Sequence, residues 1–190
     1  MGFNVVSMSN NHVLDQGEEG LISSLDYWDT KGIVHYGAYR SQEDADTIKT
    51  MEVNGIKFAF LGYMEHTNGN YLSGDGAQVI YLEDEDKIKA QIEEADKMAD
   101  VVVVSCHYGT ETQNELNEQQ TEITPKLVEW GADLIIGTQA HTISTCGYLD
   151  KPEGGQAFVY YGLGNFISTM YDTKSLVGLI GKLNVVKNPD

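Results

Sequence analysis

The run Val101–Cys106 is almost continuously apolar and too short to be the core of a helix. Such a run is a strand buried on both faces, which requires a sheet covered by other layers on each side. Segments of helical period flank it. Asp84–Ala99 places Ile88, Ile92 and Ala95 on one face, with a Glu/Asp/Lys side for solvent. Glu118–Trp130 follows, interrupted by Pro125; an interior proline costs a helix about 3 kcal/mol, so a kink or restart is expected there. Leu134–Gly137 is the next apolar run and a second central strand. Strand, helix, strand, helix in this rhythm defines an α/β protein.

The remaining segments fit that class. Strands are expected at Phe3–Ser9, Ile33–Tyr36 and Gln78–Leu82, with a helix at Glu18–Lys31 closed by Gly32. Asn54-Gly55 between Thr47–Val53 and Ile56–Tyr63 is a type I′ hairpin signal, because both central residues of that turn need positive φ. Met64–Gly76 is rich in Gly and Asn and reads as a loop. Ser144–Leu149 and Ala157–Gly162 are expected to pair antiparallel, and Leu176–Val186 to close the chain as a further strand. Neither an internal repeat nor a domain boundary is evident, so residues 1–190 are expected to form one domain or part of one.

Charge narrows the partners. The 29 acidic and 12 basic residues give a formal net charge of −17, with no local Lys/Arg cluster. Phosphate backbones and anionic membranes are repelled by such a chain, so nucleic acid is excluded as a natural partner. Cys106 and Cys146 lie far apart in apolar surroundings and read as small core residues rather than a disulfide or metal pair. The chain opens directly in strand-like composition, without a basic or apolar leader, and is expected to derive from a longer protein.

Three of the five histidines stand just past strands: His12 after the first, His107 after Val101–Cys106, and His141 after Leu134–Ile136. Ligands of open α/β sheets bind beyond the carboxyl ends of the strands. Imidazoles converging there with amide or carboxylate oxygens suit zinc, manganese or iron. The plainer alternative is that each is simply a hydrogen-bonded loop residue. His35 and His66 lack this placement and read as ordinary packing or surface residues. Other chemistries are absent: Gly-x-Ser-x-Gly and the Gly-rich phosphate loop do not occur, and Cys106 and His107 point to opposite faces of a strand.

Four blocks in chain order carry a resemblance. Asn10-Asn11-His12 through Asp15 and Gly17, His107-Tyr108-Gly109-Thr110-Glu111, Gly131-Ala132-Asp133 through Gln139-Ala140-His141, and Gly162-Leu163-Gly164-Asn165-Phe166 resemble motifs of the capsule-synthesis CapA (poly-γ-glutamate) family. The resemblance implies a metallophosphatase-like fold, a sandwich of two sheets flanked by helices and here N-terminally truncated. It implies that Asn11, His107 and His141 ligate a divalent metal, that His12 acts on the leaving group, and that Glu111 and Asn165 line the same cleft. The partners it implies are an anionic capsule polymer or a phosphoester small molecule, within a capsule-synthesis membrane complex, and a parent protein at the cell envelope or outside it.

Two departures weigh against a working metal centre. The family pattern has histidine where this chain has Gln139, a weaker amide ligand. The family's upstream aspartate block is missing. Metal affinity falls with each ligand lost. The chain is therefore expected to be metal-poor and to act in polymer handling. Metal-dependent hydrolysis of a phosphoester or of the polymer stands as the alternative for the full-length protein.

Overall fold

The computed structural model describes residues 2–187. In chain order the elements are β1 (Val5–Ser7), α1 (Gly17–Thr30), β2 (Val34–Tyr36), β3 (Ala38–Tyr39), α2 (Gln42–Asp46), β4 (Lys49–Val53), β5 (Ile56–Met64), β6 (Gln78–Val79) and α3 (Glu85–Met98). Then come β7 (Val101–Tyr108), α4 (Glu118–Glu129), β8 (Leu134–Gln139), β9 (Cys146–Asp150) and β10 (Gln156–Tyr160).

A six-stranded mixed sheet in the order β4-β5-β7-β8-β10-β9 forms the centre. Its four inner strands run parallel, and antiparallel β4 and β9 close its edges. The two faces follow from strand alternation. Ala59, Leu61, Val102, Val104, Cys106 and Tyr108 face one way and pack against Ile88 and Ile92 of α3 and Ile123 and Leu127 of α4. Phe60 and Val103 face the other way and meet Tyr36 of β2, with Val5 of β1 and Val34 packed alongside. Strands β1 and β2 pair in parallel as a small second sheet. Helices thus cover one face of the central sheet and a second sheet lies on the other, the α/β sandwich expected of the chain.

Local chemistry accounts for most element ends. The β4–β5 turn has φ of 53° at Asn54 and 77° at Gly55, as a type I′ turn demands. Asn117 and Gln120 form a reciprocal capping box at the start of α4. That helix continues without a break through Pro125, so the expected restart does not occur; the buried side chains Ile123, Leu127 and Val128 on either side hold the helix against the sheet. Among the described residues no helix is long and apolar enough to cross a membrane.

Three further expectations change. Leu176–Val186 is not a strand: only Gly178 bridges Gly164, and the apolar side chains of Ile180 and Val186 are exposed. Cys146 is exposed because it begins an edge strand whose side chains alternate toward solvent, whereas Cys106 is fully buried, where desolvation pushes its thiol pKa up. The short elements β3 and α2 were not expected; Ser41 caps α2 by accepting from the Asp44 N–H.

Candidate functional site

Parallel strands place their carboxyl ends along one rim, and β5, β7, β8 and β10 are neighbours or near neighbours in the sheet. His66 stands two residues beyond β5, His107 near the end of β7, Gln139 at the end of β8 with His141 beyond it, and Asn165 beyond β10. Asn11 and His12 reach the same rim from the turns after β1. Those turns are tied locally: Asn10 accepts from the His12 N–H (3.0 Å) through its side chain and from the Val13 N–H (3.2 Å) through its backbone. Leu14 anchors them in a small apolar cluster with Leu21 and Leu25 of α1.

His107 is the best-defined member. Its Nε2 lies 3.1 Å from Asn11 Oδ1 and its Nδ1 lies 2.7 Å from the Thr138 hydroxyl. Asn11 Nδ2 donates to Asn68 Oδ1 (3.1 Å), so the oxygen is the atom turned toward His107. An amide oxygen only accepts, which puts the ring hydrogen on Nε2 and leaves Nδ1 to accept from Thr138. Burial lowers the His107 pKa to about 4; the Gln139 side chain opposes this, and the nearby imidazoles of His66, His141 and His12 press in the same direction as burial. The ring is neutral at ordinary pH.

His141 shows the opposite arrangement. Asn165 Nδ2 donates to Ser175 O (3.0 Å), so Asn165 Oδ1 accepts from His141 Nδ1 (2.8 Å). Its Nε2 then keeps a lone pair. His12 is exposed and held by Asp15, with Nδ1 and Oδ2 2.7 Å apart. Glu111 reaches the site through Gln139, whose Nε2 donates to Glu111 Oε1 at 3.4 Å. Gln139 itself is buried, and among the described residues its Oε1 has no hydrogen-bond partner.

The backbone is strained at this rim. Gln139 (φ 94°), His141 (59°), Thr112 (60°) and Asn68 (52°) all have positive φ without being glycine. Each such residue costs about 1–3 kcal/mol and persists only where its surroundings hold it. Thr112 N–H donates to Ala140 O (2.8 Å) and Thr142 Oγ1 to Gln113 O (2.7 Å), clamping the loops after β7 and β8 together. A cleft of about 160 Å³ opens between His107, Gln139, His141 and Asn165. A larger open cleft of about 610 Å³ lies near Asp96, Trp130 and Lys151, at the amino ends of the strands.

The donors fit one side of a divalent-ion site. Two ligands each about 2.1 Å from an ion sit about 3 Å apart, the separation of Asn11 Oδ1 and His107 Nε2 (3.1 Å); an ion there would take the place of the Nε2 hydrogen, and Nδ1–H would then donate to the Thr138 hydroxyl. The unpartnered Gln139 Oε1 is a further oxygen of the right kind. Among the described residues, however, no group of three or more His, Cys, Asp or Glu is placed to hold a metal. The set is imidazole and amide, and the Glu111 carboxylate meets it through the nitrogen of Gln139.

The structure therefore brings Asn11, His107, Gln139, His141, Asn165 and Glu111 together and leaves His12 on the exposed lip. His66 belongs with them, contrary to its reading as an ordinary residue: its Nε2 lies 3.5 Å from Gln139 Nε2. The signal was its place just beyond a strand end, masked by the Gly/Asn-rich loop around it.

The fold is metallophosphatase-like. A 5′-nucleotidase precursor from Thermus thermophilus superposes with a TM-score of 0.54 at 16% identity, over 82% of this chain and 32% of the other. A Staphylococcus aureus protein assigned as a 5′-nucleotidase, in complex with alpha-ketoglutarate, gives 0.57 at 14% identity, over 86% and 32%. At such identities the likeness concerns the fold. Residues 1–170 match the bacterial capsule synthesis protein family PGA_cap, and the chain belongs to that family. It is 28% identical to the PGA biosynthesis protein CapA of Bacillus subtilis (strain 168) over 99% of this chain and 48% of that protein. It is 27% identical to the capsule biosynthesis protein CapA of Bacillus anthracis over 87% and 40%. The chain thus spans about half the length of the curated relatives it matches.

Proposed function

We propose that this chain acts in capsule biosynthesis by seating an anionic, γ-linked polymer in the rim cleft. The observation that carries the proposal is that the four family-like blocks, separated along the chain, meet there: Asn11 contacts His107, and Gln139, His141 and Asn165 line the same cleft. The net charge of −17 opposes an anionic ligand over the chain as a whole, so local hydrogen-bond donors must hold it. At the rim, the amides of Asn11, Asn68 and Gln139 supply hydrogen-bond donors beside the imidazoles of His12, His66, His107 and His141, of which His107 and His141 already spend their N–H on Asn11 and Asn165; Glu111 and Asp15 are carboxylates that contact the group. Donors in a partly dry cleft bind carboxylates more strongly than donors in open water.

The test is equilibrium binding of oligo-γ-glutamate of defined length, by calorimetry, to the unmodified chain and to Asn11→Ala and His107→Ala. Weakening of about tenfold or more in both variants is expected, since each removes part of a buried polar pair. Unchanged affinity in both would remove the proposal.

A second reading is favoured by the Asn11–His107 spacing and the unpartnered Gln139 Oε1. Here the full-length protein is a metal-dependent hydrolase of a phosphoester or of the polymer. Asn11, His107, Gln139 and His141 would hold a divalent ion of the zinc, manganese or iron kind, with further ligands from outside the described residues. Such an ion supplies Lewis-acid polarisation of the scissile group. His12 would pass a proton to the leaving group from Nε2, its ring held through Nδ1 by Asp15. Asn11→Ala and His107→Ala in the full-length protein would each abolish hydrolysis; retention in both would dismiss this reading.

A further inference from the structure

We infer that His66 and Gln139 form a two-donor cradle for an anionic oxygen, carboxylate or phosphoryl, of the ligand at the rim. The inference rests on the reading of that rim as a ligand site. The loop carrying His66 is tied down: Thr67 Oγ1 bonds the Tyr81 hydroxyl at 2.8 Å, and Asn68 adopts φ 52°. The Asn68 backbone N–H donates to His66 Nδ1 at 3.3 Å. This donor is a fixed main-chain group and the closer of the two facing the ring. Its bond uses the Nδ1 lone pair, so the neutral ring carries its hydrogen on Nε2.

That Nε2–H faces Gln139 Nε2 at 3.5 Å. The Gln139 amide is not free to turn over. Its nitrogen donates to the Glu111 carboxylate, and reversal would set its oxygen against that charge. Two N–H donors therefore oppose each other without an acceptor between them. An oxygen about 2.9 Å from each nitrogen satisfies both. An anionic oxygen does so best, because charge-assisted hydrogen bonds are about twice as strong as neutral ones. The cradle uses the nitrogen of Gln139 and not the buried Oε1, the atom that would serve an ion. Glu111 serves as the positioning residue that orients the amide.

Long-range ¹H–¹⁵N NMR of the chain's histidine rings reads the tautomer directly, and His66 is expected as Nε2–H. Titration with inorganic phosphate and, separately, with oligo-γ-glutamate should move the His66 ring and the Gln139 side-chain amide together. His66→Ala should weaken binding about ten- to hundredfold, the value of one hydrogen bond to a charged group, and His66→Gln should recover part of it by restoring an N–H. Phosphate that moves both groups while oligo-γ-glutamate is ignored supports the cradle and counts against the polymer reading. Oligo-γ-glutamate binding that survives His66→Ala overturns the cradle and leaves the polymer reading standing. An Nδ1–H tautomer, or no response to either anion, also overturns it.

Discussion

Acidification offers a direct probe of the rim, because His107 is buried as a neutral ring. In the unfolded chain its imidazole takes up a proton as pH falls through 6.5; in the folded protein it does so only near pH 4. Between those values the unfolded state binds more protons, so stability drops as pH drops. The contribution is fully present above pH 6.5 and lost progressively down to about pH 4. At 1.36 kcal/mol per pH unit, the whole interval is worth about 3 kcal/mol, of which about 2 kcal/mol is lost by pH 5. The lowered carboxyls of Asp29 and Asp44 shift stability in the same direction but at lower pH, below their ordinary value of 3.8. The assay is urea unfolding at pH 7.5 and 5.0, in chelator-treated buffer, for the unmodified chain and His107→Gln. The variant loses the contacts to Asn11 and Thr138 at both pH values, which offsets its curve without changing its slope. The unmodified chain should lose about 2 kcal/mol more than the variant across this interval. Parallel losses would refute the reasoning, since they would mean that His107 titrates alike in folded and unfolded chains.

Gly137→Ala should be among the most damaging single changes: the added Cβ would lie 2.2 Å from Tyr161 O, and backbone cannot yield as a flexible side chain can. A loss of about 2–3 kcal/mol and a Tm lower by roughly 6–10 °C are expected by thermal unfolding. Pro125→Ala should raise stability by about 1–3 kcal/mol, read by urea unfolding, because α4 already runs through that position and regains one backbone donor. Gln139→His should raise affinity for Zn²⁺ or Co²⁺ at least about tenfold by calorimetry, replacing an amide with a stronger ligand; no change would count against an ion site at that wall.

The parts of the fold legible in the sequence are those where a period has room to show. β7 was readable from its unbroken apolar run, α3 and α4 from a three-to-four spacing, and the β4–β5 hairpin from two residues that tolerate positive φ. β3 and α2 were not, since two and five residues carry no usable period. Leu176–Val186 has the composition of a strand but among the described residues forms a single bridge, Gly178 to Gly164, and composition alone does not supply a ladder. Cys146 shows the same limit from the other side: whether an apolar residue is buried depends on which sheet edge it occupies. At the rim, strand-end logic located His107 and His141, and family-like blocks located Asn11, Gln139, Glu111 and Asn165. His66 obeys the same strand-end logic, but the loop composition after β5 hid it. The tautomers, the clamped loops and the unpartnered Gln139 oxygen depend on side chains up to 96 positions apart, as Asn11 and His107 are, and no local pattern encodes them.

The most direct measurement is a chemical-shift map of the ¹⁵N-labelled chain titrated with oligo-γ-glutamate. Perturbations gathered at Asn11, His66, His107, Gln139, His141 and Asn165 are the predicted result. Perturbations centred instead on the cleft near Trp130 and Lys151, or none at saturating polymer, would contradict the assignment of the rim as the working site.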